Sequence, residues 1–140
     1  MLVYFLSQID FLAVVFASIA GMILGGVWYM PGVFGGAWQT SIGKEQWRRV
    51  KPLQTVVVRV AATVITAMGL AILLAGGGVT TFWGAIRLAA VVALGVVTPI
   101  IAADFHFTGR PARLIVMTCA HRVAHVFVIS AVLGAFRQFG

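Results

Sequence analysis

Four long apolar stretches constrain this chain more than any other feature of its sequence. They cover residues 11–30, 55–75, 81–103 and 114–136, and about 20 apolar residues are enough to cross the hydrocarbon core of a bilayer. Hydrophobic residues make up 61% of the 140 residues and charged residues only 9%. A soluble fold of this size would lack the polar side chains to cover its surface. The sequence therefore predicts an all-α, polytopic membrane protein, a bundle of four transmembrane helices forming a single domain over residues 1–140.

The ends of the apolar stretches carry signals typical of membrane-spanning helices. Trp28 and Tyr29 suit an aromatic belt at the membrane interface, and Pro31 ends the first helix. A Gly-Gly-Gly run at residues 76–78 predicts a tight turn between the second and third spans. The sequence SIGKEQWRRVK at residues 41–51 has two interpretations. It forms either a short interfacial helix with Trp47 facing lipid or a solvated loop.

The distribution of basic residues predicts the orientation of the bundle. Four spans place both termini on one side, and loops 1 and 3 on the other side contain most of the basic residues: Lys44, Arg48, Arg49, Lys51, Arg110 and Arg113. Short loops rich in Lys and Arg stay in the cytoplasm. We therefore expect loops 1 and 3 to be cytoplasmic and both termini to lie outside. The first ten residues carry no basic side chain, so no cleavable signal peptide is expected.

The net charge of +7 indicates an anionic partner. The cations lie at the ends of apolar segments and do not form one exposed stripe, which favours anionic phospholipids over nucleic acid. The expected lipid contacts are Arg48, Arg49, Lys51, Arg59, Arg110 and Arg113. Arg59 lies about one turn from the end of its helix and is expected to extend to the headgroups, and Arg87 is expected to do the same at the opposite end.

Small residues on the first span predict a close helix contact. Ala17, Gly21 and Gly25 follow at four-residue spacing with Gly26 beside them, which gives one smooth helix face. This face packs either within one chain or between copies in a homo-oligomer. Cys119 is the only cysteine, so no intrachain disulfide is possible and we interpret it as an inert packing residue.

The last span contains a polar cluster of His121, Arg122 and His125. Arg122 lies nine residues after Arg113, which is about 13 Å along a helix and near mid-membrane. A charge there costs roughly 2.5–3.5 kcal/mol on insertion scales. His121 and His125 share a helix face at i,i+4 spacing. Asp104 is the only acidic residue near the last three spans, and the sequence groups it with the cluster.

Three interpretations of this cluster are open. It is a hydrogen-bonded polar node that uses carbonyls, Thr118, Thr98 or Asp104; or a site for an anion, a lipid headgroup or a proton path; or a metal or haem site built on the histidine pair. The neighbouring Arg122 repels cations, and a third ligand is not evident. We therefore predict no bound metal and no cofactor.

Motifs of common enzymes are missing from the sequence. No span holds paired carboxylates, and the chain has no HExxH, no GxSxG and no phosphate-binding glycine loop. We therefore expect the protein not to be an enzyme.

Two stretches together carry a resemblance to a known family. They are GGVWYMPGVFGGAW at residues 25–38 and DFHFTGRPARLIVMTCAHRVAHVFVISAVLGAFR at residues 104–137. The chain resembles the domain-of-unknown-function 1761 family of small bacterial four-helix membrane proteins. The resemblance implies the same four-helix fold and a place in the inner membrane of a bacterial cell, but no activity. If the shared pattern marks a working site, the resemblance implies these members: Trp28, Tyr29, Pro31, Phe34, Trp38, Arg110 and Pro111.

These features together predict a structural or interaction role, as a homo-oligomer or as a small subunit of a larger membrane complex. The alternative is a small transporter or channel for an anionic or protonatable solute, which would use His121, Arg122, His125 and Asp104. A metal-binding or haem-binding membrane protein is the third hypothesis.

Overall fold

The computed structural model describes residues 1–43, 45 and 48–140. Six main helices lie in this part of the chain, which contains no β-strand. They are α1 (Leu2–Ser7), α2 (Phe11–Trp28), α3 (Gly36–Ile42), α4 (Pro52–Gly76), α5 (Phe82–Phe107) and α6 (Ala112–Phe139). Helices α2, α4, α5 and α6 are long and apolar enough to cross a membrane. The predicted all-α fold with four such helices is confirmed, while Lys44 and the expected lipid-facing position of Trp47 lie outside the described residues.

The helix ends follow local capping rules. The Asp10 carboxylate accepts hydrogen bonds from the backbone N–H groups of Leu12 and Ala13, at 2.9 and 3.2 Å, and so caps α2. The Thr81 hydroxyl accepts from Gly84 N at 3.1 Å and caps α5. Pro52 occupies the first turn of α4, where its missing N–H costs nothing. This explains why α4 begins three residues before the predicted span.

Two π-helical turns interrupt the regular α-helical pattern, at Pro31–Gly35 and at Ala93–Val97. The second lies within α5 just before Pro99, whose ring crowds the preceding turn and which lacks an N–H. The Thr98 hydroxyl donates to the Ala93 carbonyl at 2.8 Å and satisfies one acceptor in this wider turn. Helix α5 therefore continues through Pro99 to Phe107 without breaking.

The core is built from small side chains that let the helices approach closely. Helix α6 packs against both α2 and α5, and α2 packs against α4. Fully buried alanines lie at these contacts: Ala17, Ala67, Ala85, Ala89 and Ala93. A Cβ atom added at Gly134 of α6 would lie only 2.6 Å from Ala85 Cβ of α5. Close packing of this kind holds helices together where no hydrophobic effect drives them.

Both termini lie at the same end of the bundle as the turn between α4 and α5. Arg137 Nε donates to the Val79 carbonyl at 2.6 Å, and Phe82 N donates to Gln138 Oε1 at 2.7 Å. At the start of the chain, Phe5 of α1 lies against Gly76 at the end of α4. Loops 1 and 3 therefore occupy the opposite end, where the candidate site is found.

Candidate functional site

A cavity of about 560 Å³ opens between α2, α4 and α6 at the end of the bundle that carries loop 1. Pockets of roughly 300–1,000 Å³ are typical of small-molecule sites. The lining extends along α4 from Pro52 to Thr63, which is about 16 Å at 1.5 Å per residue. The cavity therefore reaches about half-way down the bundle.

Three helices meet at the floor of this cavity. His125 Nε2 of α6 lies 3.3 Å from the Thr63 hydroxyl of α4, within hydrogen-bonding distance. Gly21 of α2 allows this contact, since a Cβ atom there would lie 2.9 Å from His125 Nε2 and 3.1 Å from Thr63 Cγ2. The sequence did not identify Thr63. Its position one turn after Arg59, on the same face of α4, was the available signal.

His121 is the most unusual side chain in the wall. It is only 3% exposed, and its ring lies 5.0 Å from the Tyr29 ring and 5.5 Å from the Trp28 ring. Within the described part of the chain, neither ring nitrogen has a hydrogen-bond partner. A buried polar group left without a partner costs about 1–3 kcal/mol, so a partner from outside the chain would stabilise this arrangement.

Arg59 turns into the cavity, contrary to the expectation that it extends to the headgroups at the end of its helix. Its guanidinium carbon lies 5.0 Å from the centre of the Tyr29 ring, in the geometry of a cation–π contact. The guanidinium occupies the space that a side chain at Gly25 would need. Arg122 of α6 is exposed and is also among the residues that line the cavity, so two arginines border one space.

The acidic residues of the chain all lie elsewhere. Asp10 caps α2 at the opposite end of the bundle, and Glu45 pairs with Arg49 at 2.9 Å on the surface. Asp104 is exposed near the end of α5 and does not line the cavity. The structure thus separates Asp104 from His121, Arg122 and His125, with which the sequence grouped it. The positive charge of the cavity is not neutralised by any carboxylate of this chain.

Two aromatic residues of loop 1 pack against the end of α2, next to the cavity. Phe34 stacks on Trp28 with ring centres 4.6 Å apart, and Trp38 meets Tyr29 edge-on at 5.3 Å. The π-helical turn starting at Pro31 brings them back over the end of α2. Trp28 is therefore half-buried against His121, whereas the sequence treated it as an interface anchor. Of the aromatic residues quoted for the family resemblance, Tyr29 and Trp38 line the cavity, while Trp28 packs against Phe34 and His121.

The remaining predicted residues are placed as follows. Arg48, Arg49, Lys51, Arg87 and Arg113 are exposed. Arg110 is half-buried next to Pro111, and its backbone N–H donates to the Phe105 carbonyl at 2.9 Å.

The small-residue face of α2 is used inside the chain. Ala17, Gly21 and Gly25 are buried, and the nearest side chains to Gly21 and Gly25 belong to α4 and α6. Gly26 faces outward, with no atom within 4 Å of where its Cβ would lie. Cys119 is buried, with its Sγ 3.9 Å from the Thr98 carbonyl oxygen.

The chemistry of the cavity suits an anion better than a metal ion. Among the described residues, no group of three or more His, Cys, Asp or Glu side chains is close enough to hold a metal. His121 and His125 offer a nitrogen pair, but the two arginines on the same cavity oppose a cation. Guanidinium groups are instead good partners for phosphate or carboxylate oxygens, and an imidazole N–H can also donate to them.

Comparison with known families gives one result that covers most of the chain. Residues 12–134 match the family described as protein of unknown function (DUF1761). The chain belongs to this family, as the resemblance in its sequence implied. No curated protein and no solved structure matches it.

Proposed function

We propose that this DUF1761 protein binds an organic anion in the cavity between α2, α4 and α6, as a four-span membrane protein with loops 1 and 3 in the cytoplasm. One observation carries the proposal. Arg59, Arg122 and His121, whose ring nitrogens have no partner among the described residues, all line one cavity, and the three acidic residues of the chain lie elsewhere. The missing negative charge and hydrogen-bond acceptors would then come from the ligand.

The depth of Arg59 in the bundle also supports a bound anion. Arg59 lies seven residues after Pro52, which is about 10 Å along α4. At such depth an unpaired guanidinium is costly, and ionisable groups inside a membrane bundle usually serve ligands or pathways. The aromatic rings of Tyr29 and Trp38 at the wall favour an anion that also has an apolar part.

The floor of the cavity favours binding over an open channel. Below His125 and Thr63, the bundle is closed by buried side chains that include Ala17, Ala67 and Ile129. A ligand entering from the loop 1 end would stop about half-way through. The geometry therefore supports a site that is open to one side only.

The experiment is a calorimetric titration of the detergent-purified protein with butyl phosphate and with benzoate. Replacing both arginines, by Arg59→Gln with Arg122→Gln, is expected to weaken binding by about tenfold or more, since charge-assisted hydrogen bonds contribute roughly 1.5–3 kcal/mol each. Arg87→Gln is the control, because Arg87, like Arg122, is an exposed arginine within an apolar helix, but it lies on α5 and outside the cavity. Equal losses in both variants would show that binding follows overall charge and would contradict the proposal.

A carrier for such an anion is the second candidate, favoured by the closed floor near the middle of the bundle. Alternating-access carriers hold their substrates at such a depth. Liposomes containing the protein should then take up benzoate faster than empty liposomes, and Arg122→Ala should abolish the difference while circular dichroism stays unchanged. Binding without uptake would restrict the function to a binding protein.

A further inference from the structure

An apolar groove of about 550 Å³ runs along the outside of the bundle between α2 and α4. Its walls are exposed aliphatic side chains, including Val15, Ile19 and Ile23 of α2 and Val60 and Val64 of α4. Ser18 is the polar exception, and its hydroxyl already donates to the Val14 carbonyl at 2.8 Å. The groove therefore suits a hydrocarbon chain and offers no site for a polar ligand.

The groove and the cationic cavity are neighbours. Met22 of α2 lines both of them. On α4, the exposed residues Val58 and Ala62 belong to the wall of the cavity, and Val60 and Val64 belong to the groove. A molecule with a charged head and an apolar tail would thus occupy both spaces at once, passing between α2 and α4 beside Met22.

We propose that the ligand is a phosphate monoester with a single long alkyl or acyl chain, with its head in the cavity and its chain in the α2–α4 groove. This inference rests on the proposed anion binding and names its ligand class. A phosphate monoester carries a charge of about −1.5 to −2 at neutral pH, which matches the two guanidinium groups of Arg59 and Arg122. The cavity would hold the phosphate, and the groove would hold the alkyl or acyl chain.

The length of the groove agrees with this ligand. Val14 and Ile23 mark its two ends on α2, and nine residues of helix span about 13 Å. The groove covers the middle of α2 and part of the half nearer the chain termini. With the phosphate in the cavity, the chain would therefore extend from beside Met22 toward the end of the bundle opposite loop 1.

The test compares dodecyl phosphate with butyl phosphate on the full-length protein in maltoside micelles. Val64→Trp fills the groove, and Val96→Trp is the control, since Val96 is also an exposed valine but lies on α5 outside the groove. We expect Val64→Trp to weaken dodecyl phosphate binding by about tenfold and to leave butyl phosphate unchanged. Val96→Trp should change neither, and zwitterionic dodecylphosphocholine should bind no variant measurably.

The outcomes separate this inference from the proposed function. If Val64→Trp and Val96→Trp affect dodecyl phosphate equally while butyl phosphate still depends on Arg59 and Arg122, the cavity binds anions and the groove is not used. If butyl phosphate binding is independent of both arginines, the proposed function itself fails. Ile23→Trp fills the other end of the groove and replaces Val64→Trp if that variant does not fold. If neither Val64→Trp nor Ile23→Trp weakens the binding of dodecyl phosphate, the inference is overturned.

Discussion

At the scale of single residues, the site depends on places where a side chain is absent. Gly21 lets His125 reach Thr63, and Gly25 leaves the space that the Arg59 guanidinium fills. Next to them, His121 lies between Trp28 and Tyr29, and neither of its ring nitrogens has a hydrogen-bond partner among the described residues. The space left by Gly21 and Gly25 of α2 thus allows polar groups of α4 and α6 to lie at the cavity.

Replacing Gly21 with alanine is expected to destabilise the protein by about 1–3 kcal/mol, the usual cost of overpacking a well-packed site. The new methyl group would lie 2.9 Å from His125 Nε2, 3.1 Å from Thr63 Cγ2 and 3.2 Å from Ile129 Cδ1. Gly26→Ala is the control and should be neutral or stabilising by up to about 1 kcal/mol, because alanine is the better helix former. Reversible unfolding in mixed micelles measures both, and equal stability of the two variants would contradict the proposed packing.

At the scale of helices, α6 both lines the cavity and packs against α5. One face of α6 carries His121 and His125 into the cavity, and its later turns pack closely against α5 through Gly134 and Ala85. Helix α5 contributes no residue to the cavity lining. The contact between α5 and α6 should therefore affect stability and leave ligand binding intact.

The variant Gly134→Ala tests this division. Its Cβ would lie 2.6 Å from Ala85 Cβ and 3.2 Å from Phe82 Cα, atoms that move only if the helices separate. We expect a loss of about 1–3 kcal/mol in unfolding free energy, with butyl phosphate affinity unchanged. Gly69→Ala is the control because, beyond its own helix turn, no atom of the described residues lies within 4 Å of where its Cβ would be. A tenfold loss of affinity in folded Gly134→Ala would show that α5 does contribute to the site.

At the scale of the whole molecule, the two ends of the bundle differ in character. The end with both termini is closed by two hydrogen bonds, one from Arg137 Nε to the Val79 carbonyl and one from Phe82 N to Gln138 Oε1. The other end carries the cavity and the exposed cations of loops 1 and 3. A basic end facing the cytoplasm would give the site access to cytoplasmic anions or to the inner leaflet.

The structural role as a homo-oligomer or complex subunit stays a prediction. Native mass spectrometry in mild detergent tests it by detecting bound copies or partners.

The orientation is checked with two matched single-cysteine variants in a Cys119→Ser background. Thr40 and Thr80 are both exposed and lie at opposite ends of the bundle, in α3 and in the α4–α5 turn. With loops 1 and 3 cytoplasmic, a membrane-impermeant maleimide should label Thr80→Cys in intact cells and label Thr40→Cys only after permeabilisation. The reverse pattern would show the opposite orientation.

The sequence by itself determined the number of long apolar helices and, within a few residues, where they begin and end. These bounds depend on local features, namely hydropathy, Pro31, Pro52 and the glycines at 76–78. Such features affect only nearby residues, so they can be recognised in the sequence without knowledge of the fold. The sequence also placed His121 and His125 on one face of α6, since that follows from the helical repeat alone.

Only the tertiary structure decided which way each helix faces. Helices that are apolar on all sides have no polar stripe to fix their rotation, so nothing local showed that Arg59 turns inward over Tyr29. The contact of His125 with Thr63 joins residues 62 positions apart, and it exists because Gly21 allows three helices to meet. The cavity and its groove arise from the same close approach, which is a property of the packed bundle and of no single segment.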